Sequence, residues 1–135
     1  MKDQNKGTQK QQVYNPFLPL NEYIPDGEPH VFGDRVYHFG SHDKEGGYTF
    51  CMLDYVAYSA PVTDLSDWRY EGVIYQAKQD PRYPDPQYMY APDVVQGNDG
   101  RYYLYYCMGG DYGQGGYQAV SYTHLRAHET RHDLV

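Results

Sequence analysis

No cluster of lysine or arginine occurs in these 135 residues, and the formal charge is -7. A surface without such a cluster has little with which to neutralise phosphates, so a nucleic-acid partner is excluded and a neutral or basic ligand fits better. The opening run MKDQNKGTQKQQ has no apolar core of the kind a leader peptide needs, and no membrane span is legible further on. No signal peptide and no membrane are therefore expected, and the expected location is cytoplasmic. Cysteine is reduced to Cys51 and Cys107, both inside apolar runs, which reads as two free core thiols and implies no oxidising compartment. Helix formers are scarce.

What the chain does have is tyrosine, 18 residues of it, within a hydrophobic content of 40% that is enough to build a core. Tyrosine joins apolar area to a polar tip, as half-exposed strands and sugar-stacking surfaces require. Residues 1–13 are a polar lead-in with nothing to bury and are expected to be disordered. The segment NPFLPLNEYIPDGEP then has four prolines, which excludes a helix and suggests an extended segment along an edge. HVF, the turn Gly33-Asp34 and RVYHFG read as a tight hairpin. GGYTFCMLDYVAYSA is expected as a third strand after a Gly-Gly break. Thr63 or Asp64 is placed to cap a single helical turn, and a fourth strand follows from about Arg69 to Tyr75.

After the proline-rich connection QAKQDPRYPDPQ the pattern begins again. APDVVQ, the turn GNDG and RYYLYYCMG restate the first hairpin, with Pro92-Asp93 answering Pro25-Asp26, Arg101 answering Arg35 and Tyr103 answering Tyr37. GGDYGQGGYQAVS opens a further strand. Short antiparallel strands recurring at a long fixed period are the mark of a β-propeller, in which each blade is a small twisted sheet whose first strand lines a central channel.

The tail departs from this pattern. HETRH, from His128 to His132, matches H-E-x-x-H, in which two histidines on one helical face hold zinc and the glutamate activates water; His124 extends the spacing. Only three residues follow, and nothing around the motif is patterned to pack, so no metal ligands are assigned to it. The tail resembles a translated sequencing adapter. Residues 121–135 are accordingly read as a non-native tail and 14–120 as the folded part.

An Asp at the start of each inner strand would place Asp26 and Asp93 at one end of a propeller channel. Paired carboxylates flanked by aromatics are what glycoside hydrolysis uses, one as base and one as acid. The plainer alternative is that each Pro-Asp makes an Asx turn into its own loop. NPFLPLNEYIPDGEPHVFGDRVYHFGSHD, YAPDVVQGNDGRYYLYY and the DLSDW element between them resemble glycoside hydrolase family 43, whose members include β-xylosidases and α-L-arabinofuranosidases. The resemblance implies an all-β, five-bladed β-propeller of which about the first two blades are present.

It further implies an inverting hydrolysis of xylose- or arabinose-containing saccharides, with Asp26 as general base and Asp93 as the residue that modulates the pKa of the general acid. That acid is a glutamate from a later blade, so the chain by itself is expected to be inactive. Tyr90 stands where the family commonly has Trp and can stack on a sugar. His42 and Asp43 follow the second strand, where a loop can reach the pocket; for His42 a plain surface role is an equal reading. The family commonly has Asp-Pro at the base, whereas here Gly27 follows Asp26. Glu28 shares a strand face with Asp26 if the strand is regular, a spacing closer to that of a retaining pair. A carbohydrate partner is expected and no cofactor, with a channel metal in the longer enzyme left open. The alternative function is a non-catalytic carbohydrate-binding propeller.

Overall fold

The computed structural model describes residues 15–80 and 88–109 and the backbone of 116–122. The polar lead-in and the HETRH motif lie outside the described residues. Among the described residues seven strands follow in order: β1 (Glu28–Phe32), β2 (Arg35–Phe39), β3 (Tyr55–Pro61), β4 (Arg69–Tyr75), β5 (Tyr88–Gln96), β6 (Tyr102–Gly109) and β7 (Gly116–Tyr122). They form two antiparallel sheets, β1-β2-β3-β4 and β5-β6-β7. The described residues are all-β apart from one short 3-10 turn, Ala77–Gln79.

Local chemistry accounts for the hairpins. Gly33 has φ 62°, the left-handed conformation that a two-residue hairpin turn demands, and Phe32 and Arg35 face each other across it. In the second sheet Gly100 at φ 79° and the Asp99 carboxylate, which accepts the Arg101 N–H at 3.1 Å, close the longer GNDG turn.

The core lies between the sheets. Tyr37 and Phe39 of β2, Tyr55 and Ala57 of β3 and Tyr75 of β4 meet Met89 and Val94 of β5 and Leu104, Tyr106 and Met108 of β6. The alternate spacing within each strand is the period-2 pattern of one sheet face. Tyrosine divides between two roles: Tyr90, Tyr102 and Tyr103 are half-buried and Tyr23, Tyr48, Tyr70 and Tyr105 exposed, whereas Tyr37, Tyr55, Tyr58, Tyr75, Tyr88 and Tyr106 are buried. The hydroxyls of Tyr75 and Tyr106 are accommodated by hydrogen bonding inside the core. Tyr106 donates to Asp80 Oδ2 at 3.0 Å and lies 2.9 Å, hydroxyl to hydroxyl, from Tyr75. Buried phenols are tolerated when their hydroxyls find partners.

Two expectations are corrected. The third strand starts at Tyr55, not in the Gly46-Gly47 region, because Cys51 takes φ 57° and its N–H is captured by the Asp43 carboxylate at 2.6 Å. Residues 44–54 therefore form a loop. Near Asp64 there is an Asx turn instead of a capped helical turn: Asp64 Oδ1 accepts the N–H of Ser66 at 3.0 Å and its hydroxyl at 2.5 Å. In the second sheet β7 runs on to pair Ser121 with Tyr103 and Tyr122 with Tyr102.

Candidate functional site

The two sheets meet along β1, β2 and β5, and the two repeated aspartates lie on that seam. They reach it by different backbone routes. Asp26 precedes β1 and has φ 57°, so the chain is not extended there, and Glu28 is the first residue of the strand. The regular strand that would have put Asp26 and Glu28 on one face is therefore absent.

Asp93 sits within β5, not at its start. Tyr90 pairs with Cys107 and Asp93 with Tyr105, so one more residue separates the pair on β5 than on β6, a β-bulge over Ala91 and Pro92. Pro92 has no N–H to give to a ladder, and it sits where a strand tolerates proline, at a bulge on the edge strand of its sheet. Ala91 adopts φ 25° to make the bulge. A bulge of this kind re-aims the side chain that follows it, here Asp93.

Each carboxylate has a partner from across the sequence. The buried Ser41, just past β2, donates its hydroxyl to Asp26 Oδ2 at 3.3 Å. The same Ser41 oxygen accepts the Ala91 N–H at 2.7 Å, so one hydroxyl joins the Asp26 turn to the Asp93 bulge. His30 on β1 places Nε2 2.5 Å from Asp93 Oδ1, and that oxygen also accepts the Val94 N–H at 2.8 Å. Asp93 thus combines a local turn bond with a contact across the seam, and both side chains of the His30–Asp93 pair are partly solvent-exposed.

Two glycines permit this packing. A Cβ on Gly40 would stand 2.6 Å from Ile24 Cγ2 and 2.7 Å from the Pro25 carbonyl oxygen, so Gly40 lets β2 approach the turn before Asp26. A Cβ on Gly27 would stand 2.0 Å from the His38 ring. The buried imidazole occupies the space that a proline after Asp26 would need, which accounts physically for Asp-Gly in this chain.

The remaining expected residues divide. Asp43 closes the 44–50 loop: its N–H donates to Tyr23 O at 2.9 Å, and its carboxylate holds the Cys51 N–H. It also lines a surface pocket of about 470 Å³ with Tyr23, Lys44, Tyr48 and Phe50. Burial pushes the Cys51 thiol up; the Ser41 hydroxyl opposes this, and the carboxylates of Asp43 and Asp26 push it further up. Asp26, Ser41 and Asp43 are thus grouped around one sulfur. His42 faces elsewhere, with Nδ1 3.0 Å from Asp54 O and Nε2 3.4 Å from Glu22 Oε2. Tyr90 is half-buried, its ring lying where a Cβ on Gly109 would fall, and its carbonyl accepts the Tyr55 hydroxyl at 2.5 Å.

Ser41, His30 and Tyr55 were not among the residues singled out from the sequence. Their partners lie 63 residues away for His30, 50 for Ser41 and Ala91, and 35 for Tyr55 and Tyr90. Serine, histidine and tyrosine carry no spacing signal for contacts so distant. Among the described residues no group of His, Cys, Asp and Glu is arranged to hold a metal ion.

No protein-family model matches the chain. Over 100 residues it is 60% identical to a xylosidase/arabinosidase of Thermoclostridium stercorarium, a match covering 73% of this chain and 21% of that protein. Over 100 residues it is 31% identical to xylosidase/arabinosidase 43A of Humicola insolens, covering 66% of this chain and 29% of that one. Among solved structures it is similar to the GH43_1 enzyme of Xanthomonas citri complexed with xylose, with a TM-score of 0.65, 26% identity, and coverage of 76% of this chain and 30% of the other.

The fold is thus the all-β fold of a glycosidase family. By sequence and by fold the chain is similar to enzymes of glycoside hydrolase family 43, and it spans less than a third of the length of each of these relatives.

Proposed function

We propose that this chain is the part of a family 43 glycosidase that supplies the general base and the residue supporting the general acid, Asp26 and Asp93 respectively. The observation that carries this reading is the Ser41 bridge, which ties the Asp26 turn to the bulge presenting Asp93 across the seam of two sheets. In this reading the two sheets are the first two blades of a five-bladed propeller, and residues 14–120 are the native part of the chain. Asp26 takes a proton from a water as the water oxygen bonds to the anomeric carbon. The glycosidic oxygen leaves from the opposite face and takes its proton from a glutamate that lies in a part of the relatives not spanned by this chain. The configuration inverts, with room for the water between base and sugar.

Ser41 occupies Oδ2 of Asp26, so Oδ1 is the oxygen for the water. Asp93 stays close to the sheet through Val94 and His30 and acts on the acid through its charge. Tyr90, Asp43 and His42 are the proposed sugar contacts. Because His42 is already engaged by Asp54 and Glu22, its contact would be the weakest of the three. The substrate class is xylose- or arabinose-containing saccharides, in line with the names of the relatives and the xylose bound to the Xanthomonas enzyme.

The test is hydrolysis of aryl β-D-xylopyranoside and aryl α-L-arabinofuranoside by the full-length protein and its Asp26→Ala variant. Loss of at least about 100-fold in kcat is expected for a missing base. An unchanged rate in the variant would end the assignment.

A further inference from the structure

We infer that Ser41 is a positioning residue for the base, fixing the direction of the Asp26 carboxylate against the Asp93 bulge; the inference rests on the reading of Asp26 as base. Ser41 is fully buried, so no substrate touches it, and whatever it does to the reaction passes through its partners. Three of its bonds converge on the two acid-bearing segments. Its backbone N–H donates to Pro25 O at 3.0 Å, its hydroxyl donates to Asp26 Oδ2, and its oxygen accepts the Ala91 N–H.

The donor roles are fixed by chemistry. An amide nitrogen only donates, so Ser41 Oγ must accept from Ala91; its single proton is shared by two acceptors, the Cys51 sulfur and the Asp26 carboxylate, of which the ionised carboxylate is the stronger. The anchor itself cannot drift. The carbonyl of the same peptide unit, that of Tyr90, is held by the buried Tyr55 hydroxyl. Asp26 lies in a left-handed turn and is solvent-exposed, so outside Ser41 little in its surroundings fixes its side-chain rotamer. A base displaced by a fraction of an ångström loses rate without losing substrate affinity.

The experiment uses the full-length protein and the aryl glycoside that it cleaves. Ser41→Ala is expected to lower kcat by roughly 10- to 100-fold with KM within about twofold, the pattern of an interaction felt only in the transition state. Ser41→Cys fills nearly the same volume with a much weaker donor, and it is expected to lose about 10-fold in kcat while melting close to the wild type. Both changes are then repeated in the Asp26→Ala background, with azide added as the nucleophile. Azide bonds to the anomeric carbon while the aryl oxygen departs, so no base is needed. On the rate that remains there, with or without azide, either Ser41 change should have an effect below about twofold. Wild-type kcat in Ser41→Cys, or an equal loss in both backgrounds, overturns the positioning role and leaves the base reading intact. An undiminished rate in Asp26→Ala alone overturns the base reading instead.

Discussion

Ser41 and Tyr55 hold the two ends of one peptide bond. The Ser41 hydroxyl accepts the Ala91 N–H, and the Tyr55 hydroxyl donates to the Tyr90 carbonyl. Tyr55 opens β3 of the first sheet and Ser41 lies just past its β2, whereas the peptide lies in the second sheet, at the bulge that presents Asp93. A bulge leaves one residue out of the ladder, so its polar groups need other partners. Two long-range hydroxyls meet that need here and couple the sheets at the candidate site.

Tyr55→Phe should therefore destabilise the protein by about 1–3 kcal/mol, the range for leaving a buried carbonyl without its donor. Tyr55 also donates to Cys107 O at 3.3 Å, so two carbonyls lose a partner together. Burial pushes the Tyr55 hydroxyl well above the ordinary tyrosine range, with the Cys51 and Cys107 thiols adding to the shift, so it remains a donor at any working pH. The loss should accordingly be the same at pH 6 and pH 8. Urea denaturation at both values checks it; a midpoint equal to wild type would mean the hydroxyl contributes nothing.

Gly40→Ala should cost about 1–3 kcal/mol, because two of the atoms a Cβ would meet, Pro25 O and Gly27 Cα, are backbone and cannot swing aside. Gly46→Ala is the comparison. Gly46 has φ 66° with open space around it, so its cost is only the conformational one of about 1 kcal/mol. Equal melting points for the two variants would contradict the close approach of β2 to the Asp26 turn.

His38 links stability to pH. Burial holds its imidazole below the ordinary 6.5, and a backbone hydrogen bond with Ile24 opposes the shift. The unfolded chain therefore takes up the proton first as pH falls. The contribution of His38 is complete above about pH 6.5 and is lost as pH falls from there through the lower folded-state value. Wild type should lose melting temperature between pH 7 and pH 5 more steeply than His38→Gln, which cannot titrate. Parallel curves would refute the linkage.

The parts of the fold that were legible in the sequence are those set by neighbours along the chain. The Gly33-Asp34 turn, the GNDG turn and the strand Arg69–Tyr75 all rest on local turn chemistry and period-2 alternation. What escaped was decided at a distance. Cys51 leaves the strand because the Asp43 carboxylate eight residues earlier takes its N–H. Asp93 reads as a strand mouth, yet β5 begins at Tyr88; Pro92 inside an apolar run is the one local sign of the bulge. The pair of aspartates was visible as a repeat, but their partners Ser41 and His30 were not, since a hydroxyl or an imidazole acquires its role only when the sheets pack.

The stereochemistry of the first product tests the account most directly. The full-length protein is mixed with an aryl β-D-xylopyranoside, and the anomeric proton of the released xylose is followed by NMR before mutarotation. If Asp26 activates a water, the α-anomer appears first and the β-anomer only as the sugar equilibrates. If the β-anomer is released first, a carboxylate has attacked the sugar directly, and Asp26 is not the base described here.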